Sequence, residues 1–443
     1  MQADALAFIH AMPICGRENQ LLSFTQCSHQ TLKVIEEVLE ATGICGEDTT
    51  GIGNCARETV GFKRKTGRVS SIGRRVLMYE NGLKNLAFVR YKSRVLDYLE
   101  ANSSGKLSTT QKTIQIPKAL NTIWSSILDD SNPMLTSMTL GSLATKFKTA
   151  FSKSTIFAGH GTPIFTKIAD SIPEAEFVIV ESEEKDEAQH LCDAASGSNP
   201  KALTTFVSNL AQSLIEEIKD QRIDYVNLSM GHTVQALKAQ ANQFCPELAL
   251  STEQLHAALQ IWLQHFYIPL SSLDGVVLVQ AATQSVRPLA PFDSEYAADC
   301  IDLPNRLRVG SFSPPADLEI AKDGTNDFNL LESAEANALP CTDLYIAGPD
   351  DAIDRASTPP ERYQKYASFT ATTFGCGPLW PTYPSWAAPI AVVYLIKLNE
   401  AMPAGTTTAE LIAAATNYGM GRLKDPARHE LYPPNLYARK TKL

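Results

Sequence analysis

Short apolar runs rich in β-branched residues alternate with longer helical segments in the second part of the chain, and this alternation constrains the fold most. Such runs are typical of parallel strands that helices cover on both faces. The runs are residues 177–180, 225–228, 276–279, 307–309 and 344–346, and the helical segments are residues 202–219, 253–267 and 387–398. The pattern predicts an α/β fold with a parallel sheet and helices on both faces, in which functional residues collect at the carboxyl ends of strands.

The chain is long enough for two or three domains, at 443 residues. Residues 102–113 are rich in Ser, Thr, Lys and Gln and include a glycine, which is typical of a linker. We therefore expect a smaller N-terminal region over residues 1–112, with a helix at residues 83–99. The main α/β domain would span residues 113–425, and a solvated basic tail would follow at residues 426–443.

Charge and hydropathy disfavour several classes of function. Lys and Arg number 39 against 48 Asp and Glu, and the resulting net charge of −9 disfavours a nucleic-acid partner. The longest apolar run, residues 387–396, is well short of the roughly 20 residues that span a membrane. Residues 1–15 carry no positive charge before a short apolar stretch, so no secretory signal is predicted.

The nine cysteines are widely spaced, odd in number and without a Cys-x-x-Cys pair. This favours reduced thiols in a reducing compartment. Cys45 and Cys55 lie in a Gly-rich stretch and would pair or bind a metal if the protein were exported. The expected location is therefore cytoplasmic, or outside the cell after export without a cleaved signal peptide. The sequence does not indicate an oligomeric state.

Two residues of types that act in catalysis lie where one predicted element ends or another begins. His160 lies between Gly159 and Gly161, after a short apolar run, where a substrate can approach closely. Ser385 begins a very apolar helix, whose first N–H groups stabilise nearby negative charge. Taken singly, each residue also has a structural interpretation, because a lone histidine is usually a core residue and serine is a favoured N-cap.

Other segments supply candidate partners for this histidine and serine. Asp129 and its neighbour Asp130 follow an apolar pair, and Asp97 is a more distant acid. Gln284 follows the predicted strand at residues 276–279. A side-chain amide in that position can donate a hydrogen bond into a site, although a surface loop would explain it equally well.

Taken together, these segments resemble the subtilase family, the subtilisin-like and kexin-like serine peptidases. Asp129, His160 and Ser385 stand in the family's chain order of acid, base and nucleophile. Residues 160–162 are similar to the family's His-Gly-Thr motif. Residues 385–389 are similar to the Ser-x-Ala-Ala-Pro sequence that opens its nucleophile helix.

Two further segments extend the resemblance, which covers roughly residues 115–420. Residues 224–231 are similar to the strand that borders the family's substrate cleft. Residues 279–284 are similar to the strand that ends in its oxyanion-hole asparagine, with Gln284 in place of that asparagine. The number of ordered matches carries the resemblance, because no single match is long.

The resemblance implies a subtilisin-like fold and a serine endopeptidase that hydrolyses peptide bonds through an acyl-enzyme. Ser385 would be the nucleophile, His160 the base and Asp129 the acid. The Gln284 side chain and the Ser385 N–H would form the oxyanion hole. Three residues would pair with an extended protein or peptide substrate: Ser229, Met230 and Gly231.

Departures from the family pattern leave alternatives open. Tyr383 and Pro384 stand where the family has Gly-Thr, and proline fixes φ and removes an N–H. An inactive binding scaffold with the subtilase fold is therefore a second hypothesis, and ester hydrolysis on the same residues is a third. Many subtilases carry a propeptide, so residues 1–112 are either propeptide-like or a permanent accessory region.

No cofactor or metal is predicted. Calcium is common in the family that the chain resembles, but no acidic run here has convincing ligand spacing. Asp350, Asp351 and Asp354 lie near one another, and a solvated loop explains them equally well.

Overall fold

A nine-stranded, almost entirely parallel sheet runs through the described part of the chain. The structure is a computed structural model, and it describes residues 24–45, 52–65, 73–81, 89, 91–108, 113–123, 160–172, 174–182, 184–282, 301–312, 343–347, 384–418 and 430–431. The strands are β1 (Arg57–Gly61), β2 (Arg75–Glu80), β3 (Val95–Ala101), β4 (Leu107–Ser108), β5 (Thr113–Pro117), β6 (Glu176–Glu181), β7 (Tyr225–Leu228), β8 (Val277–Ala281), β9 (Arg306–Phe312), β10 (Leu344–Ala347) and β11 (Glu430–Leu431). Their order in the sheet is β11-β10-β9-β8-β7-β2-β6-β3-β4, and only the β3–β4 pair is antiparallel. β1 and β5 form a separate antiparallel pair.

Helices surround this sheet. They are α1 (Phe24–Thr42), α2 (Lys118–Thr122), α3 (Gly161–Ser171), α4 (Glu184–Ser196), α5 (Ala202–Gln221), α6 (Val234–Phe244), α7 (Thr252–Trp262), α8 (Ile268–Ser271), α9 (Pro384–Ala401) and α10 (Thr408–Tyr418), with a π-helical turn at Leu263–Tyr267 between α7 and α8. Among the helices of the described residues, none has the length and apolar character needed to cross a membrane.

The predicted α/β class is confirmed. The five apolar runs form β6 to β10, and the three predicted helical segments lie in α5, in α7 with its π-helical turn, and in α9. All six residues of β2 are buried, as are all six of β6, because side chains pack on both faces of the sheet. Burial on both faces explains why these strands carry few polar residues in their middles.

β2 shows how the two faces are filled. Val76 and Met78 lie in one core with side chains of α3 and α9, and we call this side the front face. Leu77 and Tyr79 lie in the other core with side chains of α4 to α7, which we call the back face. Because successive side chains of a strand alternate, Glu80 belongs to the front face.

The N-terminal expectations are wrong in two respects. Residues 95–101 form β3 rather than the end of a helix, because a short apolar run buried on both faces cannot be told from a helix by periodicity alone. β2 and β3 both pair with β6 in the main sheet. The boundary expected at residue 112 therefore does not separate two folded units. Whether residues 1–112 are propeptide-like or a permanent region stays open as predicted.

The predicted linker is partly a hairpin turn. Residues 102–106 join β3 to β4, and Gly105 takes a φ of +81° at the turn. A Cβ at this position would overlap the Phe206 carbonyl oxygen, so both the dihedral and the packing require glycine. At the other end of the chain, Glu430 and Leu431 of the expected solvated tail pair with β10 as β11.

Two disulfides correct the expectation of reduced thiols. Cys45 and Cys55 are bonded, as the sequence allowed for an exported protein. Cys192 on α4 and Cys245 at the end of α6 form the second bond, although 53 positions separate them in sequence. The contact between α4 and α6 brings this pair together.

Candidate catalytic site

The carboxyl end of β2 carries a buried glutamate that contacts His160. Glu80 Oε2 lies 2.7 Å from His160 Nδ1, with the Glu80 side chain 0% exposed and that of His160 39% exposed. The Gly161 N–H donates to the Asn81 carbonyl oxygen at 2.9 Å, so the first turn of α3 is bonded to the residue after β2. An imidazole that donates its Nδ1 proton to Glu80 keeps its Nε2 lone pair to accept another proton.

A second carboxylate lies beside this pair. Glu181 ends β6, is buried, and is the register partner of Glu80, on a strand about 4.8 Å away. Tyr98 Oη donates to Glu181 Oε2 at 3.2 Å. Two buried carboxylates, Glu80 and Glu181, therefore end neighbouring strands at this edge of the sheet.

The course of α9 directs its beginning, which carries Ser385, towards the same edge. At the other end of this helix, Glu400 Oε1 accepts from Arg74 Nε at 2.5 Å, just before β2 begins. The side chain of Asn399 contacts Tyr225, the first residue of β7. The carboxyl end of α9 therefore meets the amino ends of β2 and β7, and the helix runs antiparallel to both strands.

The lengths of the helix and the strand agree with this placement. The fifteen helical steps from Ser385 to Glu400 span about 22 Å, and the six extended steps from Arg74 to Glu80 span about 20 Å. α9 also packs against α3 on the front face, and α3 begins immediately after His160. The beginning of α9, which carries Ser385, is therefore directed along the front face towards the carboxyl ends of the strands.

The start of α9 has a local feature that affects the serine. Pro389 lies inside the helix and has no N–H to donate to the Ser385 carbonyl oxygen four residues earlier. Ser385 is half-buried and stands in the first turn, where the N–H groups have no helical acceptor. A developing oxyanion could accept hydrogen bonds from such groups.

Ser229, Met230 and Gly231 follow β7 at the same edge. Asn227 lies on the front face with Tyr225, and its Nδ2 donates to Ser229 Oγ at 2.9 Å. No hydrogen bond joins the backbone of Ser229, Met230 or Gly231 to backbone groups in the described ranges. Unpaired backbone of this kind is what an added strand requires.

The remaining predicted residues divide into two groups. Asp129, Asp130 and Gln284 lie outside the described residues, so the acid predicted at Asp129 and the amide at Gln284 stay predictions. Asp97 lies on β3, separated from β2 by β6, and accepts from Arg64 at 3.2 Å. Burial raises the pKa of Asp97, and hydrogen bonds from the Tyr98 N–H and Arg64 lower it in part. Asp97 is therefore paired elsewhere.

The sequence reading missed Glu80, although a signal for it exists. An apolar run from Val76 to Tyr79 ends in an acid, as expected for a catalytic residue after a buried strand. The run follows a basic stretch in a region that the sequence presents as separate from the main domain, so the sequence does not predict it as a strand of the sheet. The contact with His160 depends on pairing across the sheet, which the sequence alone does not show.

The described residues include no group of three His, Cys, Asp or Glu side chains arranged to hold a metal ion. Asp350, Asp351 and Asp354, the acids weighed for calcium, lie outside them.

The fold and the site define an α/β protein in which a buried glutamate contacts a histidine at the carboxyl edge of a parallel sheet, and a helix packed on the same face begins near Ser385. No protein-family model matches the chain, and no curated protein matches its sequence. The argument for function therefore rests on the geometry of Glu80, His160 and Ser385.

Proposed function

We propose that the chain is a subtilase-like serine endopeptidase in which Ser385, His160 and Glu80 form the triad. The observation that carries this proposal is the 2.7 Å contact between Glu80 and His160, at the sheet edge where α9 begins with Ser385. Glu80 takes the role that the sequence resemblance assigned to Asp129. The chain order of acid, base and nucleophile is retained, as in subtilisin.

The reaction would proceed through an acyl-enzyme. His160 Nε2 takes the Ser385 Oγ proton while Oγ attacks the peptide carbonyl carbon. The carbon–nitrogen bond then breaks, and His160 returns the proton to the leaving amine. A water molecule, deprotonated by His160, attacks the acyl carbon, and Ser385 regains its proton as the acid product leaves.

Glu80 would orient the imidazole and stabilise the imidazolium that forms in each step. Its complete burial supports this role, because a carboxylate shielded from water interacts more strongly with a neighbouring cation. The Ser385 N–H and the Gln284 side chain are the proposed donors to the oxyanion.

Ser229, Met230 and Gly231 would bind the substrate main chain as an added strand. Their backbone groups have no backbone partner among the described residues, which supports this role. An unfolded protein chain meets this requirement better than a compact ester does, so a peptidase is favoured over an esterase.

Labelling with a fluorophosphonate probe tests the nucleophile. The full-length protein is compared with Ser385→Ala, His160→Ala and Glu80→Gln, each checked for native folding by circular dichroism. We expect labelling of the wild type, none of Ser385→Ala, and a large loss in the other two. A folded wild type that is neither labelled nor able to cleave fluorescein-labelled casein would contradict the proposal and favour the binding scaffold.

The two disulfides favour an oxidising location, and we infer that the protein is exported. Mass spectrometry of protein alkylated under non-reducing conditions tests this inference in the native source. We expect Cys192 and Cys245 to escape alkylation until a reductant is added. Alkylation of both thiols without a reductant would contradict an oxidising location.

A further inference from the structure

A second histidine, His232, lies immediately after Gly231 and is buried. Its Nδ1 lies 2.8 Å from Tyr267 Oη, and its Nε2 lies 3.1 Å from Glu187 Oε1. The ring stacks on Trp262, with ring centroids 3.7 Å apart and 15° between the planes. Both ring nitrogens therefore have a hydrogen-bond partner. Through these contacts and the stacking, His232 connects the segment after β7 to α4, to α7 and to the π-helical turn.

The same network reaches the next strand of the sheet. The Arg306 guanidinium lies over the Tyr267 ring, 5.9 Å from its centroid. Arg306 Nη1 donates to Gln280 Oε1 at 3.3 Å. Gln280 is buried on β8, whose end leads to the proposed oxyanion donor Gln284. The segment that follows β7 is thus linked to the end of β8 by four residues: His232, Tyr267, Arg306 and Gln280.

This network lies next to the catalytic edge but on the back face. Tyr79 of β2 packs in the back-face core beside Phe266, with ring centroids 5.8 Å apart, and the next residue, Glu80, belongs to the front face. Burial and then the charges of Glu187 and Glu80 raise the pKa of Tyr79 well above its ordinary value. Glu187 is the acid of the back-face pair, and Glu80 is the acid of the front-face pair. The two pairs are neighbours across one strand.

We propose that His232 is a positioning residue for the substrate, holding Ser229, Met230 and Gly231 in register with the end of β8. This inference rests on the proposed peptidase function. A segment held in its binding conformation before the substrate arrives loses less conformational entropy on binding, which lowers KM. His232 itself touches no reacting atom.

Kinetics with fluorescein-labelled casein test the inference through KM and kcat. Tyr267→Phe removes one hydrogen bond and keeps the ring, and His232→Ala removes the whole contact. We expect KM to rise about tenfold in His232→Ala and about threefold in Tyr267→Phe, with kcat within about twofold of the wild type. Glu187→Gln retains an acceptor for His232 Nε2 and should stay close to the wild type.

His265→Ala is the matched control. His265 lies in the same π-helical turn, but its Nδ1 contacts Ser208 Oγ at 3.1 Å on α5. We expect unchanged KM and kcat. Equal KM values in His232→Ala and the wild type, with Ser385 still labelled by the fluorophosphonate, would overturn the inference and leave the peptidase intact.

Amide hydrogen exchange separates the two proposals, since it needs no catalysis. In His232→Ala, exchange should speed up at residues 228–233 and also at residues 280–282, whereas His265→Ala should change neither segment. Faster exchange in both segments supports the positioning role even if the protein proves inactive on casein. Faster exchange confined to residues 228–233 would show that His232 does not couple the two segments, and would overturn the proposal.

Discussion

The chain builds a glutamate–histidine pair on each side of β2, and the two pairs differ in how far the imidazole is exposed to solvent. On the front face, His160 is 39% exposed and stands at the start of a helix, with Glu80 at its Nδ1. On the back face, His232 is 7% exposed, with Glu187 at its Nε2 and Tyr267 at its Nδ1. A general base needs a nitrogen that substrate or nucleophile can reach. Exposure and position, rather than the pairing itself, therefore distinguish a catalytic histidine from a structural one.

Replacing each histidine should give the largest contrast between the two faces. We expect His160→Ala to lower kcat/KM on labelled casein by about a million-fold, since the base is lost. His232→Ala should lower it by about tenfold, entirely through KM. Steady-state kinetics of both variants, with folding confirmed by circular dichroism, make the comparison. Similar losses of kcat in the two variants would remove the distinction drawn between the pairs.

Replacing the two glutamates should give a similar difference between the faces, with a smaller loss of kcat. Glu80→Gln keeps the shape but not the charge, so we expect kcat to fall by about 10²–10⁴-fold. Glu80→Asp withdraws the carboxylate by about 1.5 Å and should retain part of the activity. Glu187→Gln is the matched control and should leave kcat unchanged. Normal kcat in Glu80→Gln would return the acid role to Asp129, whose replacement by Asn then becomes the next measurement.

The two faces also differ in how far sequence alone predicts them. His160 and Ser385 could be singled out because each follows a strand or begins a helix, and local pattern identifies such positions. Glu80 could not be paired with His160, because their contact depends on β2 entering the middle of the sheet. The segment before β2 is basic, and this composition predicts a region separate from the main domain. The strands β6 to β10 were predictable because each is a continuous apolar run.

The back-face network was beyond sequence reasoning for a related reason. His232 gains its role from Glu187, Trp262 and Tyr267, which come from three other elements. The sequence separation between His232 and each of these residues follows no known motif, so it does not predict their contact. The Cys192–Cys245 bond is equally long-range. Packing determines which distant elements come into contact, whereas a sequence pattern predicts only the individual helices and strands.

The disulfide beside the back-face pair offers a third test. Cys192 lies on α4, the helix that carries Glu187, and Cys245 ends α6, the helix that follows His232. Cys192→Ser with Cys245→Ser should lower the free energy of unfolding by about 2–4 kcal/mol and raise KM. Cys45→Ser with Cys55→Ser should lower stability by about 2–3 kcal/mol without changing KM. Urea unfolding and casein kinetics provide the two readouts, and a raised KM in both double variants would show a general loss of stability instead.

The smallest predicted effect lies at the opposite edge of the sheet, where Asp224 accepts the N–H groups of Gly73 and Arg75, each at 2.9 Å. Burial raises the pKa of Asp224 from its ordinary value of 3.8 to about 6. The folded protein thus holds a proton that the unfolded chain releases between these values, so this contribution to stability is complete below pH 4 and lost as pH rises through 6. Asp224→Asn removes the dependence.

We expect the stability of the wild type relative to Asp224→Asn to fall by about 1–2 kcal/mol between pH 4 and pH 7, since Asp224 is not fully buried. Urea unfolding at each pH measures this, with the exposed Asp274→Asn as the control whose difference should not vary. A constant difference for Asp224→Asn as well would contradict the raised pKa.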